Sequence, residues 1–183
     1  MTRGVRSWGA LACVLWALAG CTGVPEGVEP VRGFDADRYL GTWYEIARLD
    51  HRFERGLDDV TATYAANPDG SIAVVNRGLE RGRCRWKEAR GRAVFLGPRD
   101  RASLAVTFFW PFAGGYHVFA RDEDGYRWAL VSGPSRDYLW ILARSPDLPG
   151  PVRADLVERA RALGFPVEQL IQVRHGGSSC PAE

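Results

Sequence analysis

The order of runs and turns in this sequence predicts an all-β domain of eight strands, followed by one helix and a short final strand. Three observations carry that prediction. From Thr42 to Arg144, short runs of alternating apolar and polar residues recur between turn signals at near-regular spacing, the pattern of an all-β barrel or sandwich. After the eighth run the apolar period changes to that of a helix, at Val152, Leu156, Ala160 and Leu163. The first run opens on Gly41-Thr42-Trp43, a glycine that lets the backbone approach closely and then a large indole. With 183 residues, 46 % hydrophobic and 11 % aromatic, the chain suits one ordinary core and is not disordered.

Residues 34–40 read as a short turn of helix, and the first strand covers 42–50. Loop 52–59 leads to a strand at 60–66, closed by the turn Asn67-Pro68-Asp69-Gly70. A strand at 71–79 passes through Glu80-Arg81-Gly82 to one at 84–96, with a bulge expected near Gly91. Gly97-Pro98-Arg99-Asp100 turns into 102–109, and the loop 110–114 separates it from 115–121. Asp122-Glu123-Asp124-Gly125 is a tight turn into 126–132, and Gly133-Pro134 opens the loop before 138–144. The helix spans 151–163: Pro149 and Pro151 start it, and Gly164 and Pro166 stop it. The final strand is 170–173.

The stretch Gly41-Thr42-Trp43-Tyr44-Glu45-Ile46-Ala47-Arg48, continued by Asp50-His51-Arg52-Phe53-Glu54-Arg55-Gly56-Leu57, closely resembles the first signature of the lipocalins. It has the form used by bacterial outer-membrane lipoprotein lipocalins and by the apolipoprotein D-like branch. A partial second motif is Asp124-Gly125-Tyr126, and the arginine of the third ends Trp140-Ile141-Leu142-Ala143-Arg144. The resemblance implies an eight-stranded up-and-down antiparallel barrel over 34–175, with Gly41, Trp43 and Arg144 as structural signature residues. It also implies that Trp43 plugs the closed end.

If successive strands reverse direction, Trp43 and Arg144 share one end with the turns at 67–70, 97–101 and 122–125. An arginine over an indole face is a cation–π pair that would seal this end. The open end collects 51–59, 80–83, 110–115 and 133–137. Alternation points Trp43, Glu45, Ala47, Val60, Ala62, Tyr64, Val74, Asn76, Phe108, Tyr116, Ala120, Tyr138 and Trp140 inward. The small Ala47, Ala62, Ala93 and Ala120 leave room for one ligand. Glu45 is expected to be a satisfied internal polar group, paired with Asn76 or an interior hydroxyl. The candidate ligand-binding residues are Trp140, Tyr116, Tyr138, Phe108, Val74 and Ala62, an apolar and aromatic wall suited to an acyl chain. The resemblance implies a fatty acid or a lysophospholipid as ligand. Its head group would meet Arg52, Arg55, Arg81, Arg83 or Arg136 at the mouth.

Residues 1–20 read as a signal peptide. Arg3 and Arg6 precede an apolar stretch, 8–18, too short to span a bilayer. Leu18-Ala19-Gly20-Cys21 resembles a bacterial lipobox, which makes Cys21 the acylated first residue of the mature protein. The alternative is an ordinary secretory signal with an incidental cysteine. Thr22 in place of aspartate implies sorting to the outer membrane, with the protein lipid-anchored there. Residues 21–33, rich in glycine and proline, read as a tether, and 176–183 as a tail. As in many lipocalins that tie a mid-barrel strand to the tail, the resemblance implies a Cys84–Cys180 disulfide, which an oxidising envelope favours.

Residues 21–183 carry 22 basic and 22 acidic side chains, and no basic run interleaves with aromatics, so nucleic acid is not an expected partner. His51, His117 and His175 lack metal-ligand spacing, and no cofactor is implied. No Gly-x-Ser-x-Gly elbow or phosphate loop is present. The reading is therefore a binding protein and not an enzyme. A lipid-modifying or isomerase-type lipocalin and an envelope interaction module with a filled barrel are the rivals. Trp110 and Phe112 on an exposed loop imply a membrane, a second subunit in a homodimer, or each other as partner.

Overall fold

The computed structural model describes residues 22–176 and Cys180. The expected signal peptide, 1–20, and the expected acylation site at Cys21 lie outside the described residues. A short helix, α1 (Ala36–Tyr39), is capped by Asp35, whose carboxylate accepts from the backbone N–H groups of Asp37 and Arg38. It feeds β1 (Gly41–Arg48), followed by β2 (Asp58–Ala66), β3 (Ile72–Glu80), β4 (Arg85–Phe95), β5 (Ser103–Phe109), β6 (Phe112–Arg121), β7 (Trp128–Ser132) and β8 (Leu139–Ala143). The order is β2-β3-β4-β5-β6-β7-β8-β1, and β1 also pairs with β2, so the eight antiparallel strands close on themselves. Closure removes the exposed edges that an open sheet would leave. Helix α2 (Gly150–Ala162) and the two-residue β9 (Ile171–Gln172) lie outside the barrel, with β9 paired to the end of β1. Strand order and type match the expectation. One boundary differs in kind: β6 starts at Phe112, so the expected loop 110–114 is a tight hairpin with Trp110 and Pro111 at its tip.

Two bulges correct the inward set. In β1 the register against β8 shifts between Glu45, opposite Leu142, and Ala47, opposite Ile141. One extra residue, Ile46, reverses the alternation beyond it. Ala47 was expected inside; it packs outside with Ile46, Leu130, Ile141 and Leu156 of α2. Arg48 turns inward in its place. In β6 the shift between Val118 and Ala120 does the same, so Ala120, also expected inside, faces the helix layer. Phe119 stacks on Phe165 beside α2, with ring centroids 5.5 Å apart and 7° between planes.

The segment 22–33, expected as a tether, is a strap fastened to the barrel. Val31 N–H donates to Val118 O at 2.9 Å, and Val31 O accepts from Ala102 N–H at 3.1 Å. Val28 is buried among Leu49, Leu139, Ala160 and Phe165. Arg136 donates to Glu26 O and to Leu163 O, so this expected head-group residue instead ties the strap to the end of α2. Cys84 and Cys180 are joined in a disulfide with Cα atoms 5.2 Å apart, which pins the tail to the β3–β4 connection.

Candidate functional site

The closed end is built from the residues around Trp43, which is fully buried. Its indole N–H donates to Tyr39 O at 2.8 Å, and the Tyr39 ring packs 4.6 Å from it. The Arg144 guanidinium lies 4.0 Å over the indole and donates to Thr42 O and Arg38 O, satisfying carbonyls where α1 meets β1. Gly41 has φ +91°, and a Cβ there would sit 3.3 Å from Arg144 Nη1, so only glycine admits this approach without strain.

Above this plug stand three phenols. The Tyr116 hydroxyl lies 2.7 Å from that of Tyr39 and 2.8 Å from that of Tyr64. Tyr116 directly follows the loop 110–115 assigned to the open end, yet these bonds place its hydroxyl over the base. Burial pushes all three phenols up, so they stay protonated. Three hydroxyls have three protons to donate and share two bonds, which leaves one proton for a water or a ligand.

Around and above the phenols, Ala62, Val74, Phe108, Tyr116 and Trp140 belong to one inner cluster with Trp43. Phe108 lies over Gly91, where a Cβ would come within 2.8 Å of its ring. Tyr138 stands nearer the mouth, its ring stacked at 6.2 Å on that of Trp140. The wall is graded in exposure. Tyr39, Trp43, Tyr64, Ile72, Val74, Leu104 and Val118 are buried, whereas Ala62, Asn76, Val106, Phe108, Tyr116 and Trp140 are only half-buried. Water thus reaches inward-facing side chains above a dry floor.

One side of the upper wall is polar. Arg48 Nη1 donates to Glu45 Oε1 at 2.6 Å, and its Nη2 donates to Glu54 O and Leu57 O at 2.7 and 3.2 Å. Glu54 Oε2 lies 3.0 Å from His51 Nε2 and accepts from Trp140 Nε1 at 3.1 Å. Loop 49–57 is thereby drawn over the barrel rim. Burial raises the Glu45 carboxyl well above the usual range and the Glu54 charge adds to this, against the pull of Arg48. Burial also acts to raise Glu54, but His51, Trp140 and Arg48 together bring it below its ordinary value. The partner of Glu45 is therefore Arg48, not Asn76 or a hydroxyl. Strict alternation missed it because the bulge at Ile46 follows from pairing with β8; the only signal in the sequence was a glutamate and an arginine three apart in an apolar strand.

Among the mouth arginines, Arg81 is held by Asp58 at 2.9 Å and Asp59 at 3.0 Å, and Arg55 by Asp50 at 2.8 Å. Arg52 and Arg83 stay exposed. No group of three or more His, Cys, Asp or Glu among the described residues could hold a metal ion. Two hollows on the outer surface hold about 430 Å³ beside α2 and about 260 Å³ between Tyr44 and Trp86; neither includes a candidate ligand residue.

Comparison with known proteins agrees with this architecture. The family model for a Lipocalin-like domain matches residues 34–175. The chain is 53 % identical over 154 residues to "Outer membrane lipoprotein Blc" of Escherichia coli (strain K12), covering 84 % of this chain and 86 % of that protein. It is 46 % identical over 157 residues to the protein of the same name from Vibrio cholerae, covering 86 % and 92 %. Among solved structures, insecticyanin from the tobacco hornworm Manduca sexta superposes with a TM-score of 0.68 at 20 % identity, over 86 % of this chain and 89 % of that one.

Proposed function

This chain belongs to the lipocalin family, and from that premise we propose that it is an outer-membrane lipoprotein that holds a fatty acid or a lysophospholipid in its barrel, for storage or transport in envelope maintenance. The observation that supports this most is the graded interior: a sealed, buried base beneath inward-facing apolar side chains that solvent still reaches. An acyl chain would lie along Phe108, Val106, Val74 and Ala62, where each buried methylene contributes about 0.8 kcal/mol before ordering costs. Its polar group would sit at the rim beside Trp140 and the Glu54–His51 pair, where a phosphate would meet the exposed Arg52 and compete with Glu80 for Arg83. The outer-membrane location is supported by the name of the Escherichia coli and Vibrio cholerae relatives and by the lipobox-like Leu18-Ala19-Gly20-Cys21.

The test is extraction of the purified mature protein and identification of its lipids by mass spectrometry, with a fatty-acid probe titrated against tryptophan emission. Bound acyl lipid, and quenching lost in Trp140→Phe, is the expected result. An empty protein that leaves the probe free would favour a filled-barrel interaction module, and turnover of a bound lipid would favour an enzyme.

A further inference from the structure

The four most exposed large apolar side chains among the described residues are Trp110 (88 %), Phe112 (74 %), Phe109 (70 %) and Phe53 (61 %). All four lie at the open end, three of them on the β5–β6 hairpin, where Phe109 pairs with Phe112 across the tip. The same end carries exposed cations. Arg52 lies 5.0 Å over the Phe53 ring, and Arg83, Arg85 and Lys87 are exposed at the β3–β4 end, facing Glu80. The base carries Asp37, Asp100, Glu123 and Asp124 on its surface together with exposed Arg38, Arg99, Arg101 and Arg127, so the aromatic side chains, not net charge, distinguish the two ends.

The path of the strap decides which face looks toward the anchor. From Phe34 at the base, the chain climbs the outside of the barrel to Thr22. There the His117 ring lies 2.8 Å from Gly23 O, and a Cβ on Gly115 would stand 3.3 Å from Thr22 and Gly23. Gly115 is three residues from Phe112, about 10 Å along the strand. Acyl chains on Cys21 would begin one peptide unit, about 3.8 Å, before Thr22. A free tether would allow any face to meet the lipid; a fastened one selects the aromatic face.

We propose that the open end is a membrane-docking surface: Trp110, Phe109 and Phe112 enter the interface of the phospholipid leaflet that holds the acyl anchor, and the exposed rim cations Arg52, Arg83, Arg85 and Lys87 face its head groups. Tryptophan and phenylalanine suit that depth because the rings are large and apolar while the indole N–H can still meet head groups. Rim cations near an anionic leaflet add attraction. The barrel mouth then opens onto lipid, so an amphiphile passes between leaflet and pocket without crossing water. That consequence rests on the carrier reading above; the docking contact does not.

The test uses the acylated mature protein in vesicles of phosphatidylethanolamine and phosphatidylglycerol that contain phospholipid brominated on its acyl chains. Bromine quenching of tryptophan emission is expected, with a component lost in Trp110→Phe, which keeps an apolar tip but removes the reporter. Trp140→Phe reports separately on lipid inside the pocket. Quenching unchanged by Trp140→Phe but reduced by Trp110→Phe would sink the carrier reading and leave the docking surface standing. Quenching unchanged by Trp110→Phe would overturn docking. A dimer dispersed by Trp110→Ser, with no bromine quenching at Trp110, would also overturn it by assigning the tip to a second copy.

Discussion

The Arg48 guanidinium donates to the Glu45 carboxylate at 2.6 Å inside the barrel, three residues along the same strand. Neighbours three apart on a regular strand point to opposite faces. They meet here because the bulge between them adds one residue and turns Arg48 inward. The pair carries loop 49–57 with it through the bonds from Arg48 to Glu54 O and Leu57 O.

Arg48→Met should cost about 3–5 kcal/mol, because it leaves a buried carboxylate without its cation and two loop carbonyls without a donor. Glu45→Leu combined with Arg48→Met should cost clearly less than the sum of the single changes. Urea unfolding of the three variants decides this; additive costs would show that the pair is not coupled.

Arg144→Ala should destabilise the base by about 1–2 kcal/mol, from the lost cation–π contact and the unpaired carbonyls of Arg38 and Thr42. Arg144→Lys should recover only part, since one ammonium cannot span both carbonyls while covering the indole. Thermal denaturation of both variants checks the order, and equal stability of Lys and wild type would refute it.

The two-cysteine replacement Cys84→Ser, Cys180→Ser should lower stability by about 4 kcal/mol, because the bond closes a sequence separation of 96 residues and restrains the unfolded chain. Affinity for a fatty-acid probe should change little, since the bond lies at the β3–β4 connection and not on the inner wall. A large loss of affinity in folded protein would mean that the tail shapes the mouth.

His117 makes the strap sensitive to pH. Burial lowers its pKa below the ordinary value, and its ring lies 2.8 Å from Gly23 O through Nε2 and 2.9 Å from Ser103 Oγ through Nδ1. A carbonyl only accepts, so Nε2 donates to Gly23 and Nδ1 accepts from Ser103, the neutral ring. A depressed folded pKa stabilises fully above the unfolded value near about 6.5, and that stability is lost as pH falls through the folded value. Stability measured from pH 8 to 5 should therefore decline in the wild type with a component missing in His117→Gln. Parallel profiles would contradict this.

Much of this protein was legible in its residues alone. The number and order of strands, the trailing helix and the two ends of the barrel follow from runs and turns, because alternation and turn chemistry are local properties of a few neighbouring residues. Trp43, Phe108, Val74 and Trp140 could be placed inward for the same reason. Only the tertiary structure decided that Arg48 faces in while Ala47 and Ala120 face out, that Tyr116 reaches the base, and that residues 22–33 hug the barrel. Each depends on a partner distant in sequence: a bulge exists only relative to the facing strand, and a strap is told from a tether only by the carbonyls and side chains that receive it. Local pattern supplied the cylinder, and long-range register determined what lines it and which way its mouth is turned.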